Sequence, residues 1–292
     1  MNGLHAFFLA EGRKWRRHPF SALIRMLCRL AMAVTAFALL YLVGDILIKG
    51  VPNLKPELFS LHFTTENQSM LPAIISTLII ALVTLCLALP LGVGGAIYLA
   101  EYARRDSAPV RLIRLTAETL SGIPSIIYGL FGSMCFVTAL HLGLSLLSGA
   151  LTLSIMVLPL IMRSTEEALL AVPDSYREGS FGLGAGRLRT TFKVVLPSAI
   201  PGILAGVILA IGRIVGETAA LIYTAGTVPK MANSLFDSTR TLSVHMYAIS
   251  QEGLYINQSY ATAVVLLVIV IGINALSAWV AKKIGRSNYG KV

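Results

Sequence analysis

Residues 121–162, SGIPSIIYGLFGSMCFVTALHLGLSLLSGALTLSIMVLPLIM, form a run of 42 residues without a lysine, arginine, aspartate or glutamate. About 20 such residues suffice for a helix to cross a hydrocarbon core of about 30 Å. The run is too long for one helix, so we predict two spans joined between His141 and Ser148, where Gly143 and Gly149 allow a turn. Strands of a membrane barrel are excluded, because they would alternate apolar and polar residues.

Four more charge-poor stretches complete the pattern, at residues 30–48, 71–100, 200–222 and 261–281. The 292 residues are 55% hydrophobic and only 13% charged, whereas soluble domains carry about 25% charged residues. We therefore predict an all-α membrane protein of about six transmembrane helices. Residues 1–60 would form an N-terminal cytoplasmic segment, the first helix and an external loop. Residues 61–292 would form the transmembrane core.

The net charge of +10 is distributed unevenly along the chain. Of the 24 lysines and arginines, 19 lie before the first span, between the second and third, between the fourth and fifth, or after the sixth. Because basic residues concentrate in cytoplasmic loops, both termini are predicted to be cytoplasmic. The sequence shows no basic surface rich in aromatic residues. We therefore predict that these basic residues lie next to a membrane and do not bind nucleic acid.

Motifs of a self-contained enzyme are absent from the sequence. There is no G-x-x-x-x-G-K-[S/T] loop, no H-E-x-x-H pair and no G-x-S-x-G turn. The three cysteines and five histidines show no metal-ligand spacing. We therefore predict no catalytic residue, no metal and no cofactor in this chain.

The fifth span carries two charges, Arg213 and Glu217. A centred arginine costs about 2.5–3.5 kcal/mol on insertion scales, so it must face protein or water. On a continuous helix Glu217 would lie one turn away on the same face. Small residues share that side: Gly202, Gly206, Ala210, Gly212, Gly216 and Ala220. Bulky residues, which we predict to face lipid, occupy the other: Leu204, Val207, Ile208, Ile211, Ile214 and Val215.

Two interpretations of this pair stay open. Arg213 and Glu217 either neutralise each other as a buried structural pair, or they line a path for an anion. In the second interpretation, which we favour, Arg213 meets the anion and Glu217 orients the guanidinium. Arginine suits a tetrahedral oxyanion because its planar fork donates two parallel hydrogen bonds. We include Thr218, the next residue, in this candidate path.

Residues 163–199 form a predicted cytoplasmic loop with a pattern of its own. Asp174 follows Pro173 and can start a short helix, and three glycines between positions 182 and 186 can end it. Basic residues then alternate with Leu188 and Phe192. Such a helix–turn–helix either docks into a groove on a partner or lies on anionic lipid headgroups.

The loop resembles the signature of ABC-importer permeases, E-A-A-x-x-x-G-x9-I-x-L-P. The matching residues are Glu178, Gly184, Leu196 and Pro197. Conservative replacements stand at Gly179, Ser180 and Val194. The resemblance implies that the loop forms coupling helices that sit in a groove of a separate ATPase subunit.

More narrowly, residues 71–281 resemble the permeases of phosphate-specific importers, of the PstA type. The similar segments are residues 91–102, 123–130, 163–167 and 210–219, the last of which, AIGRIVGETA, contains both intramembrane charges. The resemblance implies a type I (MetI-like) permease in the bacterial inner membrane that translocates inorganic phosphate, with Arg213 and Glu217 serving its passage. It also implies a companion permease subunit, two cytoplasmic ATPase subunits that bind ATP–Mg, and an extracytoplasmic phosphate-binding protein.

Three alternatives remain at this stage. The chain could be a permease for another oxyanion, such as sulfate, molybdate or tungstate. An ion-coupled secondary transporter would instead show paired broken helices in two halves of the chain, a pattern not evident here. A membrane scaffold or regulator would support no flux at all.

Overall fold

The computed structural model describes residues 19–104 and 107–289. Within these ranges the chain forms helices and loops and no β-strand. The helices are α1 (Pro19–Gly50), α2 (Leu71–Ile97), α3 (Ala108–Ser121), α4 (Ser125–Gly132), α5 (Leu146–Leu170), α6 (Asp174–Gly182), α7 (Arg187–Thr190), α8 (Leu196–Gly216), α9 (Ala219–Thr224), α10 (Leu242–Glu252) and α11 (Ile256–Tyr289). Wider π-helical turns extend α2 to Tyr102 and α4 to Ala139, and join α7 to α8 through Thr191–Val195.

Within the described ranges, five helical segments are long and apolar enough to cross a membrane: α1, α2, α5, α7 continued by α8, and α11. A sixth span results if α3 and α4, which are bent by 102° relative to each other, count as one. The predicted third span is corrected accordingly. Its apolar helix is only Ser125–Ala139, because Pro124 has no N–H to continue α3 and the chain turns a corner at residues 122–124.

The turn between α4 and α5 lies partly where we predicted it. His141 and Gly143 adopt left-handed backbone conformations, with φ of +54° and +65°. Gly149, in contrast, is not a turn residue but lies inside α5. A Cβ atom there would come within 2.9 Å of the Cβ of Ala225. Its small size therefore serves close packing.

The main apolar core fills the space between α2, α5, α8, α9 and α10. Fully buried side chains at its centre include Ile80, Leu153, Ile161, Ile214 and Leu221. Smaller clusters lie at the two ends of the bundle, one around Leu169, Val195 and Ala199 and one around Leu58, Met70 and Ala261. The cluster around Leu169 packs α8 against α5, and α8 also contacts α11, which together set the position of Arg213.

Helix α1 stands apart from this core and packs along α11. Its apolar side chains point away from the protein, as shown by Phe37 and Leu40, which are 71% and 73% exposed. Such a surface suits hydrocarbon. The basic residues before Pro19, as well as Arg105 and Lys291, belong to the charge pattern above but lie outside the described residues.

Candidate functional site: an arginine at a broken helix and an anchored loop

Helix α8 ends at Gly216, and the chain breaks before α9. Glu217 takes an extended conformation, with φ of −72° and ψ of 130°. Its Oε1 accepts a hydrogen bond from the Ala220 N–H at 3.1 Å, and its backbone carbonyl accepts one from Ser243 Oγ in α10 at 2.6 Å. The predicted continuous helix over residues 200–222 is therefore wrong, because these bonds hold Glu217 out of the helical conformation.

The predicted pairing of Arg213 with Glu217 is also wrong. Arg213 lies in the last turn of α8, seventeen residues after Leu196, and not at the middle of the helix. In the part of the chain that the structure describes, its side chain forms no ion pair or hydrogen bond. The extended backbone at Glu217 carries its carboxylate to α9, away from the helical i, i+4 position. The C-terminal end of the α8 dipole favours a cation at this position.

Arg213 is partly exposed, and the sequence analysis identified neither the phenol on which it acts nor the amide beside the adjacent Gly212. The guanidinium acts electrostatically on the Tyr128 hydroxyl, which donates a hydrogen bond to the Leu120 carbonyl at 2.9 Å. Next to it on α8, a Cβ on Gly212 would lie 3.8 Å from Asn274 Oδ1 in α11. Polar uncharged groups within apolar spans are the signal that could have revealed this phenol and this amide.

The predicted division of α8 into a small packing face and a bulky lipid face is only partly correct. Gly206 and Ala210 are buried as expected, but Ile214 is also buried although it was assigned to lipid. Leu209 and Gly216 are exposed. The reason is that α8 contacts both α5 and α11, so its buried surface is wider than one stripe.

A cavity of about 740 Å³ opens beside the break. It lies between α1, α4, α9, α10 and α11. Its polar lining residues are Thr218, Tyr223, Tyr247, Ser250, Ser259 and Tyr260. Of the three residues predicted for the path, Thr218 lines this cavity, whereas Arg213 and Glu217 do not.

The predicted helix–turn–helix is present in the loop between α5 and α8. Helix α6 begins after Pro173, and Gly184 has a φ of +83°, which favours glycine. The hydroxyls of Ser180 and Thr190 are 2.8 Å apart and tie α6 to α7. Glu178 and Gly179 are exposed on α6. The remaining motif residues, Leu196 and Pro197, are half-buried at the start of α8.

Apolar side chains are exposed along the same loop. Leu183 is 92% exposed and Leu188 67%, and three aromatic side chains, Tyr176, Phe181 and Phe192, are also exposed. Large apolar side chains exposed together on one loop are typical of a site of interaction with another protein or with a membrane. The loop therefore has the properties of a docking surface.

Arg177 joins this loop to the membrane helices. Its Nη2 donates to Glu101 Oε1 at 2.7 Å, and the side chains of this pair are only 12% and 7% exposed. It also donates to the carbonyls of Val172 at 2.7 Å and Leu169 at 2.9 Å. The hydrogen bond to Glu101 raises the pKa of the Arg177 guanidinium. Helix α6 is thus fixed to the ends of α2 and α5. Arg177 and Glu101 are 76 positions apart in the sequence, so no local pattern predicts their contact.

Comparison with known proteins gives a consistent picture. Residues 92–286 match the family model described as "Binding-protein-dependent transport system inner membrane component". The chain is 34% identical over 279 residues to "Probable ABC transporter permease protein YqgI" of Bacillus subtilis, which covers 87% of this chain and 92% of the relative. It is 34% identical over 210 residues to "Phosphate transport system permease protein PstA" of Mycobacterium leprae, which covers 70% and 68% of the two chains.

Solved structures share the fold. A chain from a bacterial ABC transporter involved in the import of alginate superposes with a TM-score of 0.66 at 12% identity, over 93% of this chain and 99% of that one. A chain from the MetNI methionine ABC transporter gives a TM-score of 0.57 at 19% identity, over 74% and 94%. At these identities the likeness shows the fold alone.

Proposed function

Because this chain belongs to the family of binding-protein-dependent transport system inner membrane components, we propose that it carries inorganic phosphate into the cytoplasm. The chain is an ABC-importer permease, a transport subunit that spans the membrane several times. The observation that carries the phosphate proposal is Arg213. Its guanidinium lies at a helix break within the span and, in the described parts of the chain, has no anionic partner.

An arginine that lies within the span without a counter-ion attracts an anion that passes along the path. A buried or half-buried charge is costly without a counter-ion, so an oxyanion beside Arg213 lowers its free energy. The planar fork matches two oxygens of a tetrahedral anion. A second arginine, contributed by the companion permease across the path, would suit a divalent phosphate. Thr218 adds a hydroxyl at the edge of the cavity next to the break.

The proposed coupling begins at the exposed loop. Its apolar surface around α6 and α7 would dock into a groove on one of two cytoplasmic ATPase subunits, which bind ATP–Mg. When the ATPase subunits close, α6 moves, and Arg177 passes the movement to Glu101 at the end of α2. The helices then rock between outward-facing and inward-facing states. The tie to α2 gives the loop a rigid connection to the transport core.

The remaining partners follow from the family and its relatives. Several relatives are named phosphate transport system permeases, including a PstC protein of Mesorhizobium japonicum that is 31% identical over 248 residues. The alginate importer was solved with its periplasmic protein. We infer a companion permease, an extracytoplasmic phosphate-binding protein and a place in the bacterial inner membrane for this chain.

Reconstitution tests the proposal. The test uses vesicles that contain this chain, the companion permease and the ATPase subunits, with the binding protein outside. These vesicles should accumulate phosphate only when ATP is present on the inner side, where the ATPase subunits lie. Excess sulfate, molybdate or tungstate should leave the uptake of phosphate unchanged. Transport of one of these anions in preference to phosphate would assign a different oxyanion. ATP-independent uptake driven by an ion gradient would refute the importer mechanism.

A further inference from the structure

A second cationic cluster lies outside the helix break. Arg240 ends the loop between α9 and α10, and His245 lies on the first turns of α10. They are 5% and 0% exposed. Phe63, from the loop before α2, covers both: the Arg240 Cζ atom is 4.7 Å from the centre of its ring, and the His245 ring meets its edge at 6.3 Å between centroids.

The two Arg240 nitrogens best suited to hold an anion are Nε and Nη2. Both are buried and, among the residues that the structure describes, neither has a hydrogen-bond partner. These two nitrogens form the side of the guanidinium that grips a carboxylate or phosphate with parallel bonds. Two other arginines of the chain use the same side for a carboxylate: Arg114 holds Glu166 at 2.8 and 2.6 Å, and Arg177 holds Glu101.

His245, which meets the same Phe63 ring as Arg240, adds a further donor. The Gln68 carbonyl lies nearby, but among the described residues neither ring nitrogen has a hydrogen-bond partner. Burial and the charge of Arg240 lower the pKa of His245 to about 3, so the ring is neutral and one nitrogen carries a proton to donate. Glu252 acts electrostatically on Arg240, but it is exposed and, among the described ion pairs, forms none with it.

Residues that neighbour Arg240 and His245 in the chain form hydrogen bonds that lead to the helix break. The hydroxyls of Thr241 and Ser243 are 3.1 Å apart, and Ser243 Oγ donates to the Glu217 carbonyl. By the charge pattern of the loops, this end of the bundle faces the outside of the cell. The cluster therefore lies on the side from which an imported solute arrives.

We propose that Arg240 and His245 form a binding site for one small oxyanion on the extracytoplasmic side, distinct from Arg213. The anion carries a phosphate or carboxylate group, accepts parallel hydrogen bonds from Arg240 Nε and Nη2, and accepts a third from His245. Phe63 closes the site on its solvent side, so the anion enters when this ring moves aside.

Equilibrium binding of radiolabelled inorganic phosphate to the assembled complex of both permeases and the ATPase subunits tests the site. All variants are made in an Arg213→Gln background and without the binding protein, so binding at the helix break does not contribute. The Arg213→Gln complex should bind phosphate. Adding Arg240→Gln should weaken binding about tenfold or more, as expected for the loss of a bidentate charge-assisted contact.

Matched variants distinguish the hydrogen-bonding geometry of the Arg240 guanidinium from its positive charge. Lys230→Gln removes a positive charge from the same loop at an exposed position and should leave phosphate binding unchanged. Arg240→Lys keeps the charge but loses the fork and should weaken binding. Phe63→Ala should accelerate association, measured as the time course of radiolabelled phosphate binding; an unchanged time course would show that the ring does not close the site.

The same assay identifies the kind of anion that binds and can overturn the proposal. If acetate at equal concentration competes with phosphate, the site accepts carboxylates in general. If acetate does not compete, the site is specific for phosphate. If Arg240→Gln impairs assembly on size exclusion, His245→Asn decides. Absence of phosphate binding at millimolar concentration in the Arg213→Gln complex, or unchanged binding in the Arg240 or His245 variants, overturns the site. Because uptake is not measured, this result stands apart from the proposed function.

Discussion

The link between Arg177 and Glu101 makes a quantitative prediction about coupling. Replacing Arg177 by Met leaves the Glu101 carboxylate, only 7% exposed, without its partner. Removing one member of a buried ion pair costs about 3–5 kcal/mol. We take the lower end, about 3 kcal/mol, because both side chains keep some exposure. At 1.4 kcal/mol for each factor of ten, the equilibrium for attachment of α6 should fall by about 150-fold.

Hydrogen exchange in the assembled complex measures this attachment. The amides of α6, residues 174–182, should exchange faster in Arg177→Met, and ATP hydrolysis should continue while solute transported per ATP falls. A double variant, Arg177→Met with Glu101→Leu, removes the stranded charge and should be less impaired than the sum of the single variants. Arg163→Gln is a matched control, because its partners Glu118 and Glu167 are exposed and such pairs contribute about 0–1 kcal/mol.

Two results would show that the Arg177–Glu101 ion pair does not anchor α6 as described. Exchange in α6 could be the same in Arg177→Met as in the unmodified protein, which would mean that the pair does not hold the helix. Alternatively, the effects of Arg177→Met and Glu101→Leu could add without interaction, which would mean that the two side chains stabilise the loop independently.

Three further predictions follow from single contacts. Gly129→Ala should destabilise the assembled protein in thermal unfolding by about 1–3 kcal/mol, because its Cβ would lie 2.8 Å from the Ala220 Cα, whereas Gly94→Ala, with nothing within 4 Å, should not. Glu217→Ala should cost about 0.5–2 kcal/mol through the lost cap on α9, and Glu217→Gln, which keeps an accepting oxygen, should cost less; equal losses would exclude the cap. The pKa of His245 is about 3 when folded against 6.5 unfolded, so its contribution to stability is present above pH 6.5 and lost as the pH falls. At pH 5 the loss is about 2 kcal/mol, and a His245→Asn variant should lack this slope.

Much of the membrane architecture could be predicted because it depends on composition and length alone. Long apolar runs predicted α1, α2, α5 and α11 close to their observed places, and the proline and glycine positions predicted the helix–turn–helix between α5 and α8. That this loop couples to an ATPase subunit stays a prediction. The expected resemblance to ABC-importer permeases, and the type I MetI-like fold, are confirmed by the family match and by the solved structures. Division of the chain at residue 60 stays a prediction.

The errors have a common physical origin in tertiary contacts. The run over residues 121–141 looks like a full span by composition, but Pro124 and the corner before it turn α3 away. Helix α8 has no sequence feature that requires a break at Glu217. The break depends on Ser243, 26 positions later, which binds the Glu217 carbonyl. Consequently the sequence identified Arg213 as unusual but assigned it the wrong partner.

Transport by an Arg213 variant tests whether this guanidinium binds the passing anion. Arg213→Gln is introduced into the complete importer, and ATP-dependent phosphate uptake into vesicles is compared with that of the unmodified complex at equal amounts of assembled protein. We expect uptake to be abolished while assembly and ATP hydrolysis persist. Uptake at the unmodified rate in Arg213→Gln would show that this guanidinium does not bind the anion.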